Sequence, residues 1–252
     1  MRCRIAVFAG LMMVAGVAIA ATDVDRYLEY TRDRESAGDY GATTSLGSAT
    51  GAYQFTAAAL EDLGLISTPG GKGQVGQSGA GEWANATWND NPWGISSRAD
   101  FLASREAQDA AMAAYTERNW RYLSSGAKST IGQTVNGMVV DEASLLAGAH
   151  FLGAGGMNEF ASCGFAAHCI SERAASANNM TREQLAGHIH SRMAQYNGLD
   201  VSEMTDGQYT PPPHAPGAPT QVADPGPAVS APGRATRVPE LPPLQGRRGT
   251  LL

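Results

Sequence analysis

The chain has 252 residues, 43% of them hydrophobic and 17% charged, with a formal net charge of −6. Residues 22–207 alone carry about −10, because Arg2 and Arg4 lie ahead of them and a net positive segment lies behind. A domain this acidic argues against nucleic acid as a partner, since that binding depends on basic surface.

Residues 1–21 begin Met-Arg-Cys-Arg, run apolar from Ile5 to Ile19 and reach Ala18-Ile-Ala20. A basic start, a short apolar run and a small-x-small site predict a secretory signal peptide; a retained N-terminal anchor is the alternative. From Gln208 the composition changes, and eleven of the thirteen prolines lie there with almost no aromatics. Such a segment cannot bury enough apolar area to offset its ordering entropy, so 208–252 is expected to be a disordered Pro-rich tail. Residues 22–207 are long enough for one domain with a sizeable core. Cys163 and Cys169, which follow the signal segment, have five residues between them. In an exported protein this pair predicts a disulfide; a zinc site with His168 is the alternative, with too few ligands.

Within the domain, strand signals are few. Thr22 or Asp23 can cap a first helix whose stripe runs Val24, Leu28, Thr31, and Glu35 continues that stripe. A carboxylate on an inward helix face costs free energy, so position alone points Glu35 to solvent. Gly38 to Gly51 supplies turn residues for a loop or short hairpin, and Tyr53–Leu63 is predicted as a helix stopped by Gly64. Residues 67–96 read as a long loop carrying Trp83, Trp88 and Trp93, placed either to stack on sugars or to form a local core. Ser97 and Asp100 open a helix expected to continue through Phe101 and Trp120 to Leu123. A short helix is expected near Ser129–Val135, then a break at Asn136-Gly137. Asp141 caps a helix through Leu152 that stops at Gly153-Ala-Gly-Gly156. Thr181 and Gln184 form a capping box for a last helix with Leu185, Ile189, Met193 and Tyr196 on one face and Gly198 at its end. The fold class is mainly α.

Several chemistries drop out. Gly76-Gln-Ser-Gly79 lacks the second glycine of a nucleophile elbow. His188 and His190 are two apart on a helix and face different ways, which makes them poor joint metal ligands. His150, on an apolar helix, reads as a core histidine. There is no phosphate-binding glycine loop between strand and helix, and no metal or cofactor is expected. What remains is Glu35 with Tyr53-Gln54 and Tyr196-Asn197, each placed at or near a predicted helix end. Helix ends can converge on a cleft where amides orient a sugar and a carboxylic acid of raised pKa donates a proton.

Glu35-Ser36, Gly51-Ala-Tyr-Gln-Phe55 and Ala194-Gln-Tyr-Asn197-Gly198 resemble, in this order, three signatures of the lytic transglycosylase and goose-type lysozyme-like superfamily. Phe101-Leu-Ala-Ser-Arg-Glu-Ala-Gln108 and the segment 146–156 are also similar to its exported or phage-associated members that read Gly-x-Tyr-Gln-Phe, so the resemblance spans roughly residues 24–200. It implies a lysozyme-like helical domain in the periplasm acting on peptidoglycan at the β-1,4 bond between N-acetylmuramic acid and N-acetylglucosamine. Glu35 would be the acid and then the base, acting on the muramic 6-hydroxyl or on water. Tyr53, Gln54, Tyr196 and Asn197 would position glycan and acid, Ser36 would support the glycan or the local turn, and Asp39 is the nearest candidate for a second carboxylate. Enzymes of this kind open the wall for secretion and conjugation machines, which makes the 208–252 tail a candidate docking segment. A hydrolytic muramidase and a non-catalytic wall-binding accessory are the alternatives.

Overall fold

Thr22 opens the first helix, α1 (Asp23–Ser36), its hydroxyl accepting the Asp25 N–H while the Asp25 carboxylate accepts the Thr22 N–H. This reciprocal cap satisfies two of the donors that a helix start leaves unpaired. Val24, Tyr27, Leu28 and Thr31 are buried along one stripe, as the spacing predicts. The computed structural model describes residues 21–44, 47–69, 83 and 85–211. Residues 1–20 of the expected signal segment (1–21), residues 212–252 of the expected tail (208–252) and most of the 70–84 stretch lie outside the described residues.

After α1, β1 (Ala49–Thr50) pairs antiparallel with β2 (Phe55–Thr56), Thr50 lying opposite Phe55. Helix α2 (Ala57–Asp62) follows directly, capped by the Thr56 hydroxyl. The helix expected from Tyr53 therefore begins four residues late. Gly51 and Gln54 have φ of +77° and +50°, and a right-handed helix cannot pass through such residues. A second pair joins β3 (Ile66–Ser67) to β4 (Thr87–Trp88).

The single helix expected from Phe101 to Leu123 is two, α3 (Arg98–Ala103) and α4 (Arg105–Tyr122). Ser104 divides them because its extended backbone ends the first and its hydroxyl takes the Ala107 N–H at the start of the second. A short α5 (Ser125–Lys128) precedes a hairpin of β5 (Thr134–Val135) and β6 (Met138–Val139). The hairpin replaces the helix expected at Ser129–Val135, and Asn136-Gly137 forms its turn with both residues at positive φ, the pattern two-residue hairpins favour.

Helix α6 (Glu142–Ser162) is the central element, capped by Asp141 and broken at Gly153, whose φ of 71° and ψ of 159° are non-helical. The glycine run ends the first segment as expected, but a second segment continues to Ser162. A 3-10 turn (Ala167–Cys169), α7 (Glu172–Ala177), α8 (Arg182–Tyr196) and α9 (Ser202–Thr205) complete the described chain. Cys163 and Cys169 form a disulfide between the end of α6 and that turn. His168 stands beside them, but both sulfurs are used and three groups fall short of the four ligands of a structural zinc.

The core forms where α6 packs against α8 and α4. Leu145, Leu146 and Ala149 of α6 and Leu185, Ile189 and Met193 of α8 belong to one core cluster with Met112, Leu28 and Phe101, all essentially fully buried. At about 1.5–3 kcal/mol for each large apolar side chain removed from water, this contact dominates the stability of the domain. Among the described residues, no helix is long and apolar enough to cross a membrane.

Candidate active site

The last turn of α1 carries Glu35, and Ala37 ends the helix in the left-handed conformation with φ of 55°. In the last residue of the helix, the Ser36 hydroxyl donates to the carbonyls of Arg32 and Ala52 at 3.2 and 2.9 Å. Ser36 thus ties the helix end to the turn at residues 51–54, one of the two roles its position suggests. Within that turn, the Gln54 N–H and side-chain amide both donate to the Gly51 carbonyl. From behind, Gln108 of α4 accepts the Ala52 N–H at 2.7 Å and donates to the carbonyls of Tyr40 and Phe101.

Gly51 leaves the space that Gln108 fills: a Cβ there would lie 2.2 Å from Gln108 Oε1, on a residue with φ of +77°. Gly51→Ala is expected to lower stability by about 2 kcal/mol and to impair any activity of the cleft. Thermal melts by circular dichroism check this, and a melting curve unchanged from wild type would show that the turn tolerates a side chain.

A cleft of about 430 Å³ opens beside this turn, lined by Glu35, Gln54, Phe55, Tyr115, His150 and Phe151 among others. The break at Gly153 ends the first segment of α6 here, which brings His150, Phe151 and Leu152 to the cleft wall. Glu35, with a side chain 20% exposed, meets an arginine and a histidine at one oxygen. Arg192 Nη2 donates to Oε1 at 2.6 Å, and His150 Nε2 stands 3.5 Å from the same atom. Arg192 itself is 2% exposed, with its guanidinium 5.3 Å from the centre of the Phe151 ring.

These neighbours reverse the expected acidity of Glu35. Burial pushes the carboxyl up, but His150 and then Arg192 outweigh it and hold the group at about 2. The resting Glu35 is an ionised carboxylate, not the raised-pKa acid the sequence suggested. His150 first and the paired Arg192 after it favour the charged form more than desolvation opposes it.

The remaining predicted residues divide. Tyr53 lines the cleft but is almost fully buried, and its hydroxyl is taken up inside the fold, accepting from Arg32 and donating to the Asp109 carboxylate. Tyr196 is fully buried, its hydroxyl 3.1 Å from Thr31 Oγ1 and its ring edge-on to Tyr27 and Tyr30. It locks α1 to α8 and so sets Glu35 against Arg192, in place of touching a sugar. Asn197 also stays out of the cleft: its amide donates to the Val139 carbonyl and Asp141 carboxylate, tying the end of α8 to β6 and the start of α6. Asp39 is exposed, accepts the Gly41 N–H and does not line the cleft, which removes it as a second carboxylate at this site. Trp83, Trp88 and Trp93 pack against the core and line no part of the cleft, so the local-core alternative holds. Trp83 lies under the Arg98 guanidinium at 4.5 Å and donates to the Ser48 carbonyl, and Trp88 packs on Phe101.

Sequence reasoning missed His150, Arg192, Gln108 and Asp109. Arg192 had a visible signal, since it lies three residues after Ile189 and four before Tyr196, on the apolar stripe of α8. A buried arginine requires a carboxylate, as the inward Glu35 requires a cation. His150 was dismissed because its helix is apolar, and the same burial places it against Glu35.

Comparisons with protein-family models, curated proteins and solved structures return no match. The arrangement itself defines a class of site: one carboxylate flanked by an arginine and a histidine in an aromatic-walled cleft, with no other carboxylate lining it among the described residues.

Proposed function

We propose that this domain cleaves the glycan strands of peptidoglycan at the β-1,4 bond between N-acetylmuramic acid and N-acetylglucosamine, with Glu35 as the acid and base. The observation that carries the reading is the partly exposed Glu35 carboxylate on the cleft wall beside Gln54, the only carboxylate among the described residues that line the cleft. Glycosidases that use two carboxylates hold them roughly 5–10 Å apart across the bond, and Asp39 does not enter the cleft. A one-carboxylate site suits an internal nucleophile, the muramic 6-hydroxyl, which leaves a 1,6-anhydro end. The ordered resemblance of Glu35-Ser36, Gly51–Phe55 and Ala194–Gly198 to the lytic transglycosylases supports the same reaction.

In this scheme Glu35 protonates the leaving glycosidic oxygen and then takes the proton of the attacking hydroxyl. Phe55, Tyr115 and Phe151 give the cleft apolar faces for sugar rings, and Gln54 offers an amide to acetamido and hydroxyl groups. Tyr196, Ser36 and Gln108 hold the frame.

Digestion of purified peptidoglycan by the protein and by Glu35→Gln, with products weighed by mass spectrometry, tests the reading. Anhydro-muropeptides from wild type alone are expected. Products heavier by one water would make the enzyme a hydrolytic muramidase, and equal release by Glu35→Gln would end the proposal.

A further inference from the structure

A carboxylate held ionised cannot by itself donate a proton, so the source of that proton has to be near Oε1. Two groups approach this atom. Arg192 is closer at 2.6 Å, but a guanidinium does not release a proton in a protein. His150 Nε2, at 3.5 Å, bears the one dissociable proton among the two. We propose that His150 supplies the proton that Glu35 delivers and recovers it afterwards, the two acting as one acid–base pair; this rests on the glycosidase activity proposed above.

The surroundings of His150 separate it from a packing histidine. Buried imidazoles are ordinarily pinned in one tautomer by a hydrogen bond to the second nitrogen. Neither His150 nor His190 has a hydrogen-bond partner at its buried Nδ1, so the two rings differ in what Nε2 meets: the Phe165 backbone carbonyl at 3.1 Å for His190, and the Glu35 carboxylate for His150, whose side chain is 9% exposed and lines the cleft. In the imidazolium form, only the Nε2 proton faces an acceptor, and that acceptor is Glu35. The groups facing the pair are Glu35 from α1, Tyr115 from α4 with its ring edge-on to His150 at 5.8 Å, and Arg192 from α8. Arg34, His188 and Tyr196 lie within electrostatic reach of Glu35.

The proton inventory closes. A glycan filling the cleft excludes water and raises the cost of the carboxylate charge, so the Nε2 proton passes to Oε1. Glu35 gives it to the glycosidic oxygen as the C1–O bond breaks. The 6-hydroxyl, or water in the hydrolytic case, bonds to C1 and yields its proton to Glu35, which returns it to Nε2. No net proton is gained or lost, and Arg192 stabilises Glu35 in each charged interval. His150 acts through Glu35 and not on the sugar.

The test uses the full chain and purified glycan strands, comparing wild type, Glu35→Gln, His150→Gln and His150→Ala over about pH 5 to 9. His150→Gln is expected to lose about 100-fold in kcat with KM changed less than about threefold. The alkaline fall in rate seen in wild type should be absent from its residual activity, and added imidazole should restore His150→Ala. Wild-type rates and pH dependence in both His150 variants would overturn the relay. So would a loss of rate with the wild-type pH profile retained and no rescue by imidazole. Should neither variant fold, the wild-type profile decides, because a rate with no alkaline fall excludes a histidine proton source. Activity in Glu35→Gln, or none in wild type, is the separate failure of the glycosidase reading.

Discussion

Glu35→Gln is expected to reduce glycan cleavage by about 1,000-fold and, less obviously, to lower the stability of the domain by about 3 kcal/mol at neutral pH. Acids at catalytic sites commonly cost stability, and their removal is often tolerated. Here the acid is also the counter-charge of Arg192, which is 2% exposed and bonded to Oε1 at 2.6 Å. Glutamine keeps an acceptor for that guanidinium but removes the charge, leaving a buried cation without an anion. Proton linkage leads to the same size. The carboxyl is held at about 2 in the folded state against an ordinary 4.5, and at about 1.4 kcal/mol per pH unit the separation amounts to about 3 kcal/mol.

The sign follows from the depressed value. The contribution is complete above the ordinary value of 4.5 and is lost as pH falls toward about 2. Urea unfolding of wild type and Glu35→Gln at neutral pH should differ by the full amount, with the gap closing as the solution is acidified through that window. Equal stabilities at neutral pH would show that the pair contributes nothing. A gap that widens in acid would mean that Glu35 is protonated in the resting protein.

The frame of this domain was legible because its helices obey local rules. The capping boxes at Thr22 and Thr181 and the stripes of α1 and α8 need only residues three and four apart, and the fold preserves them. The errors fall where tertiary bonds override propensity. Tyr53–Thr56 has helix-compatible residues, but Gln108, distant in sequence, accepts the Ala52 N–H and fixes a turn with Gln54 at positive φ. The site was half legible for the same reason. Glu35 on an inward stripe announced an unmet charge, while its partners lie on α6 and α8, 115 and 157 residues away in sequence. Pairing an inward acid with an inward arginine or histidine on another stripe would have found both. Tyr196 and Asn197 turn away from the cleft, since a residue at a helix end can point at a neighbouring helix as easily as at a cleft, and Tyr196 bears on the acid only through its bond to Thr31 of α1.

The largest structural loss outside the cleft is expected from Asp109→Ala, about 3–4 kcal/mol. Asp109 lies on α4 with a side chain 5% exposed, and its Oδ1 accepts the hydroxyls of Tyr40 and Tyr53 with Arg32 at 3.5 Å. Burial and this carboxylate push the Tyr53 hydroxyl well above its ordinary value, so the phenol remains a donor across the working range. Alanine would strand two buried hydroxyls and a guanidinium together, whereas asparagine retains one acceptor and should cost about half as much. For a domain of this size the alanine variant should melt about 10 °C lower. The consequence reaches the cleft because Tyr53 adjoins Gln54: kcat/KM on glycan strands should fall about tenfold in Asp109→Asn, a variant stable enough to assay. A melting temperature for Asp109→Ala within about 2 °C of wild type would mean that Arg32 and the tyrosines find other partners. In that case α4 does not anchor the Gln54 turn through Asp109, and Gln108 is what holds the turn to α4.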